Sequence, residues 1–150
     1  MTASHERGFT LIELVVVITI LGILAAFAVP RFIALDSQAR VATVNGLAGS
    51  VKSAASLARG LAMATSQGAS GTVSMEGQTI QLNNYYPDSS TVQAAVNSDN
   101  INDWTFAAGT PTTVSTWQKK GAPTPASCEV TYLPATATAP PAVNGVTGGC

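Results

Sequence analysis

A single carboxylate, Glu13, stands in an apolar run that reaches from Phe9 to Pro30. Only Thr10, Thr19 and Gly22 interrupt its Leu, Ile, Val, Ala and Phe residues. An ionised carboxylate in apolar surroundings is expensive unless it is paired or held near a polar interface. Glu13 is therefore either solvated at the start of the run or paired with a cationic group. The other residues with chemical potential are few and scattered. The only histidine, His5, lies in the first eight residues, and the only cysteines are Cys128 and Cys150. That inventory cannot assemble the usual nucleophile–base or zinc constellations. Glu76, Asp88, Asp99, Asp103 and Glu129 are spread along the second half of the chain. The stretch Asp99-Asn100-Ile101-Asn102-Asp103 lacks the ligand spacing of a calcium loop and reads as a solvated loop. No glycine-rich phosphate cradle is present. The sequence thus predicts no catalytic residue, no metal site and no cofactor.

The apolar run itself is the element that positions Glu13. About twenty residues make a helix of roughly 30 Å, enough to cross the hydrocarbon core of a bilayer. The rest of the chain is a passenger with room for one small globular domain. Charged residues make up 10% of the sequence and the net charge is −1. That composition argues against nucleic acid binding through a basic surface. The passenger is rich in Ala, Ser, Thr, Gly and Asn, which suits packing against copies of itself or exposure outside the cell. Two cysteines in a domain tied to a membrane segment favour a Cys128–Cys150 disulfide in an oxidising compartment, with two unrelated buried thiols as the alternative. The loop so closed has 23 residues, 128 to 150 inclusive, and closing it contributes roughly 3 kcal/mol in the chain-entropy model.

The N-terminus carries a more specific pattern. Met1 to Gly8 is short and polar and ends Arg7-Gly8, and Phe9-Thr10-Leu11-Ile12-Glu13 opens the apolar helix. Gly8-Phe9-Thr10-Leu11-Ile12-Glu13 resembles the processing motif of type IV pilins and of the related type II secretion pseudopilins. Pro30 falls where many type IV pilins have a proline. The looser features further on, a long helix, a hydroxyl-rich domain and a C-terminal cysteine pair, are similar to mannose-sensitive haemagglutinin-type pilins. The resemblance implies the type IV pilin fold. That fold is α+β: a long N-terminal helix, half hydrophobic and protruding, half packed on a small antiparallel sheet, with a C-terminal disulfide loop. It implies a leader, 1–8, cut by a prepilin peptidase between Gly8 and Phe9 on the cytoplasmic side, and N-methylation of Phe9. A transmembrane and filament-core helix would follow over 9–30, then an amphipathic helix and β head over 31–150. Cleavage as a secretory signal near Ala25-Ala26 is the alternative. A positive-inside count weakly favours the opposite topology, since Arg31 and Arg40 follow the run; the processing motif is given precedence.

On this resemblance Glu13 pairs with the Phe9 amine of a neighbouring subunit and sets the axial register of a homopolymer. Gly22 and Pro30 would mark a helix break that opens in the filament, while the isolated subunit keeps a helix or kinked helix there. The implied partners are other pilin subunits, the prepilin peptidase, the inner-membrane assembly machinery and, before assembly, the membrane itself. The implied location is the inner membrane for the precursor and then an extracellular pilus on a bacterial surface. A type II secretion pseudopilin, a minor pilin and a membrane-anchored binding domain that never polymerises are the competing readings.

The remaining pattern predicts local structure. Val44, Leu47, Val51, Ala54 and Ala58 recur at three- and four-residue spacing, so one helix is expected from about Phe9 to Ala64. Gly46, Gly49 and Gly60 weaken that helix and permit close packing. Thr72 to Met75 and Thr79 to Leu82 alternate around Glu76-Gly77-Gln78, a hairpin signal. A turn is expected from Asn83 to Pro87, with Tyr85 and Tyr86 packed on the domain edge. Asp88, Ser89 or Ser90 would cap a short helix ending at Asn97. Trp104 to Phe106, Val114 to Trp117 and Glu129 to Leu133 read as half-buried antiparallel strands. From Pro134 onward Ala, Thr and Pro dominate, and the tail is expected to be irregular.

Overall fold

The computed structural model describes residues 9–96 and 101–150. The expected leader, with His5, Arg7 and Gly8, lies outside the described residues. So do Asp99 and Asn100, and the predicted helix end at Asn97. The chain divides into two compact units, 1–37 and 38–150, and helix α1 (Leu11–Ala64) contributes to both, with Gly22 and Pro30 within it.

From Leu11 onward the first unit is uncovered, mostly apolar helix. Every large apolar side chain from Phe9 to Leu35 is exposed, from 42% at Val15 to 79% at Phe9 and Leu11. Its hydropathy and length suffice to cross a membrane. Beta-branched Val and Ile, otherwise mediocre helix formers in water, stay helical because every backbone polar group is satisfied within the segment, as an apolar surrounding demands.

In the second unit α1 becomes amphipathic. Val44, Ala48, Val51, Ala54, Ala55, Ala58 and Ala62 are buried along one face. Its C-terminus is closed by Ser66, which adopts a positive φ of 54°. The Gln67 N–H donates to the Ala62 carbonyl at 2.8 Å and the Ser66 N–H to Met63 at 3.3 Å, the pair of bonds that defines a Schellman cap. Two antiparallel sheets follow rather than the single one expected. The first has the order β1 (Thr72–Met75), β2 (Gln78–Asn83), β3 (Tyr86–Pro87). Both of its turns place two consecutive residues at positive φ: Glu76 and Gly77 at 49° and 79°, Asn84 and Tyr85 at 50° and 69°. That backbone matches the strand twist of a two-residue hairpin. The second sheet is a meander, β4 (Trp104–Ala107), β5 (Ser115–Lys119), β6 (Glu129–Leu133) and β7 (Ala142–Val146). A short helix, α2 (Val92–Val96), lies between the sheets in sequence.

Two cores share α1. Val44, Val51 and Ala55 pack with Trp104, Trp117, Val130, Tyr132 and Val143. Ala54, Ala58 and Ala62 pack with Val73, Ile80 and Leu82. The second cluster uses alanine on the helix side, so large side chains of β2 fill the space.

Four expectations need correction. The tail after Pro134 is not irregular: β7 pairs with β6 from Glu129↔Val146 to Leu133↔Ala142. Tertiary pairing there overrides weak local propensity. Gly46, Gly49 and Gly60 do not serve close packing within the chain, since an added Cβ at each would meet nothing within 4 Å. Tyr86 does pack against the core, but Tyr85 is 40% exposed. The single sheet is two. The short-helix cap is as expected: the Asp88 carboxylate accepts from the Thr91 N–H at 2.9 Å and from the Ser90 and Thr91 hydroxyls at 2.8 Å each.

Candidate assembly site

The helix that carries Glu13 begins with a reciprocal cap. Thr10 lies just ahead of the first helical residue, Leu11. The Glu13 carboxylate accepts the Thr10 N–H at 2.9 Å and the Thr10 hydroxyl at 2.7 Å. The Thr10 oxygen in turn accepts the Glu13 N–H at 3.3 Å. This is a capping box, Thr-x-x-Glu, in which two backbone donors that a helix start leaves unpaired are satisfied. A negative group in the first turn also meets the positive end of the helix dipole. Glu13 is exposed, and within the single chain its carboxylate bonds come from Thr10. It shares a helix face with Phe9, Ile12, Val16 and Val17.

Of the other expected site residues, Gly8 lies outside the described residues. Gly22 and Pro30 lie further along the same helix, and the structure keeps helix through both. Cys128 and Cys150 belong to the second unit and are joined to each other, with a Cα–Cα distance of 4.9 Å; the alternative of two separate thiols is eliminated. Around that disulfide the chain end is held closely. The Gly149 N–H donates to the Ser127 carbonyl at 2.8 Å, and the Thr124 N–H to the Gly149 carbonyl at 3.2 Å. Arg40 Nε donates to the Cys150 carbonyl at 2.6 Å, tying α1 to a residue 110 positions away.

Three functional or structural roles escaped the sequence reading. Thr10 had a legible signal, because Ser or Thr three residues before an acid at the head of an apolar run is a capping box. Arg40 and Gly149 had none, since their partners are remote in sequence. Elsewhere, the Arg59 guanidinium lies 5.0 Å from the Tyr86 ring centre and donates to its hydroxyl. Tyr132 is buried and donates to the Pro87 carbonyl at 2.6 Å; burial, with the Asp88 charge and then Tyr86 adding to it, raises its phenol well above the usual tyrosine range. Among the described residues no cluster of His, Cys, Asp and Glu is placed to hold a metal ion.

The described chain combines a long apolar N-terminal helix, a carboxylate in its first turn and a small disulfide-closed α+β head. Residues 3–29 match the prokaryotic N-terminal methylation motif. The chain is 56% identical over 54 residues to the type IV narrow pilus major component PilA5 of Thermus thermophilus, covering 36% of this chain and 47% of that protein. It is 36% identical over 102 residues to the type IV major pilin protein PilE of Neisseria gonorrhoeae, covering 65% and 60%. It is 48% identical over 46 residues to the type II secretion system core protein G of Pseudomonas aeruginosa, covering 31% and 32%. In each case the chain spans less than two thirds of the relative's length. No solved structure matches. The chain is similar to type IV pilins, with a type II secretion pseudopilin as a further relative, and its architecture fits the type IV pilin fold.

Proposed function

We propose that the chain is a structural subunit of a type IV pilus filament, assembled by packing of its apolar helix against the helices of other copies. The observation that carries this reading is the first unit. Seventeen large apolar side chains from Phe9 to Leu35 are uncovered, and one carboxylate sits at their head. In a bilayer lipid covers them; outside one, only other protein can. Helix association that replaces lipid contacts is driven by packing and interhelical polar bonds rather than by water release. The N-terminal methylation motif supports cleavage between Gly8 and Phe9, removal of 1–8 and methylation of Phe9. Its new amine is the cation that Glu13 of an adjoining subunit would meet, fixing register. Gly22 and Pro30, both poor in helix propensity, are where the helix would open in the filament. Domains on this reading are 1–8, 9–30 and 31–150, and the subunit passes from inner membrane to cell surface. The likeness to pilus components and a secretion system core protein supports a non-enzymatic role.

A second reading, a type II secretion pseudopilin, is favoured by the likeness to core protein G. Electron microscopy of sheared surface material, with mass spectrometry of its subunits, separates the two. Long surface filaments built of this chain, starting at a methylated Phe9, support the first. Absence of the chain from surface filaments, with short periplasmic assemblies instead, refutes it.

A further inference from the structure

An unpaired carboxylate in hydrocarbon is costly, yet a subunit waiting in a membrane has no neighbour to pair with. The capping box resolves this within one chain. Both Thr10 donors converge on a single carboxylate oxygen, at 2.9 and 2.7 Å. Charge-assisted bonds of this kind are the stronger class of hydrogen bond. The Thr10 hydroxyl oxygen also accepts the Glu13 N–H.

We propose that Thr10 is a positioning residue for Glu13, holding the carboxylate within its own subunit until the amine of an adjoining subunit takes it over. The inference rests on the filament reading for its second half only; the first half concerns the lone subunit. Assembly is then an exchange of partners for Glu13 and not the rescue of an unsatisfied charge. The gain from the intersubunit pair is the difference between the two states, so Glu13 specifies register more than it supplies affinity. Takeover is geometrically local. In the processed chain the amine lies on Phe9, one residue before the Thr10 N–H that already points at the carboxylate, so an approaching copy brings its cation to the same end of the helix. The Thr10 hydroxyl, once released, keeps its bond from the Glu13 N–H and the helix stays capped.

The test follows the Glu13 side-chain carboxyl carbon by NMR in the full mature chain. In detergent micelles, Thr10→Val should displace that resonance by more than its linewidth, while Thr10→Ser should leave it in place. Thr10→Asp separates the two possible roles: Asp caps a helix as well as Thr does but has no hydroxyl to donate. A purely structural cap would be rescued by Asp, whereas the positioning role is rescued only by Ser. In assembled filaments the resonance should coincide for wild type and Thr10→Val, because the adjoining amine now holds it. An unmoved resonance for Thr10→Val in micelles overturns the proposal. A resonance that still tracks Thr10 in filaments overturns the exchange. If the wild-type chain makes no filaments, the filament reading fails while the micelle measurements still decide the contact within the subunit.

Discussion

Replacing Gly149 with Ala asks whether the chain end is held by close approach or only by its disulfide. Gly149 shows no left-handed backbone angle, so the constraint is space alone. A Cβ there would lie 2.5 Å from the Thr124 carbonyl oxygen, 2.7 Å from Ser127 Cβ and 2.9 Å from Thr124 Cβ. All three neighbours are backbone or bonded directly to it, so the chain end must move away. That movement breaks the Gly149–Ser127 and Thr124–Gly149 backbone bonds. At roughly 0.5–1.5 kcal/mol for each net bond, the loss is about 1–3 kcal/mol. For a domain of this size each kcal/mol corresponds to about 4 °C, so the melting temperature should fall by about 4–12 °C. The assay is thermal unfolding of the full chain in detergent, read by tryptophan fluorescence, since Trp104 and Trp117 are both buried in the head. Gly148 supplies an internal control, because an added Cβ there meets nothing within 4 Å. Gly148→Ala should melt like the wild type. If the two alanine variants melt together, the close-approach argument is wrong.

Further outcomes can be checked alongside. Changing both cysteines to Ala should cost roughly 3 kcal/mol, from the 23-residue loop spanning 128 to 150, read as a lower melting temperature that no longer responds to reductant. Glu13→Ala should abolish filaments while the subunit still accumulates in the membrane, by electron microscopy and fractionation; normal filaments would refute its assembly role. Tyr132→Phe should cost about 1–3 kcal/mol by orphaning the buried Pro87 carbonyl. The folded-state phenol is raised, so its contribution is intact below the ordinary tyrosine value of about 10 and is lost as pH rises beyond it. Wild-type stability should therefore decline in that alkaline window, and the Phe variant should decline less.

Local signals account for what could be foreseen. The apolar run, the 3/4 spacing from Val44 to Ala58 and the alternation around Gly77 each state their period within a few residues, and the elements form there. Asp88 as a cap needed only its own neighbours. The strand Ala142–Val146 was hidden because Ala, Asn and Gly are poor strand formers, and β6 supplies the partner edge. Tyr85 escaped because a hairpin turn with both residues at positive φ ordinarily wants Gly, and a Tyr there says nothing local about exposure. For the candidate site the sequence singles out Glu13, Phe9 and the flanking Gly8 on a resemblance that points to a partner in another molecule, whereas the bonds the structure gives Glu13 come from Thr10, three residues away.

The two cores of the head hang on one rod. Val44, Val51 and Ala55 anchor the first, and Ala54, Ala58 and Ala62 the second, so their footholds follow one another along the helix and meet at Ala54 and Ala55. A tensile force transmitted along α1 would strain both in shear at once, with no single contact to unzip first. Yielding would then demand a collective slip of the whole helix face, which makes the head stiff toward axial pulling even though its individual sheets are small.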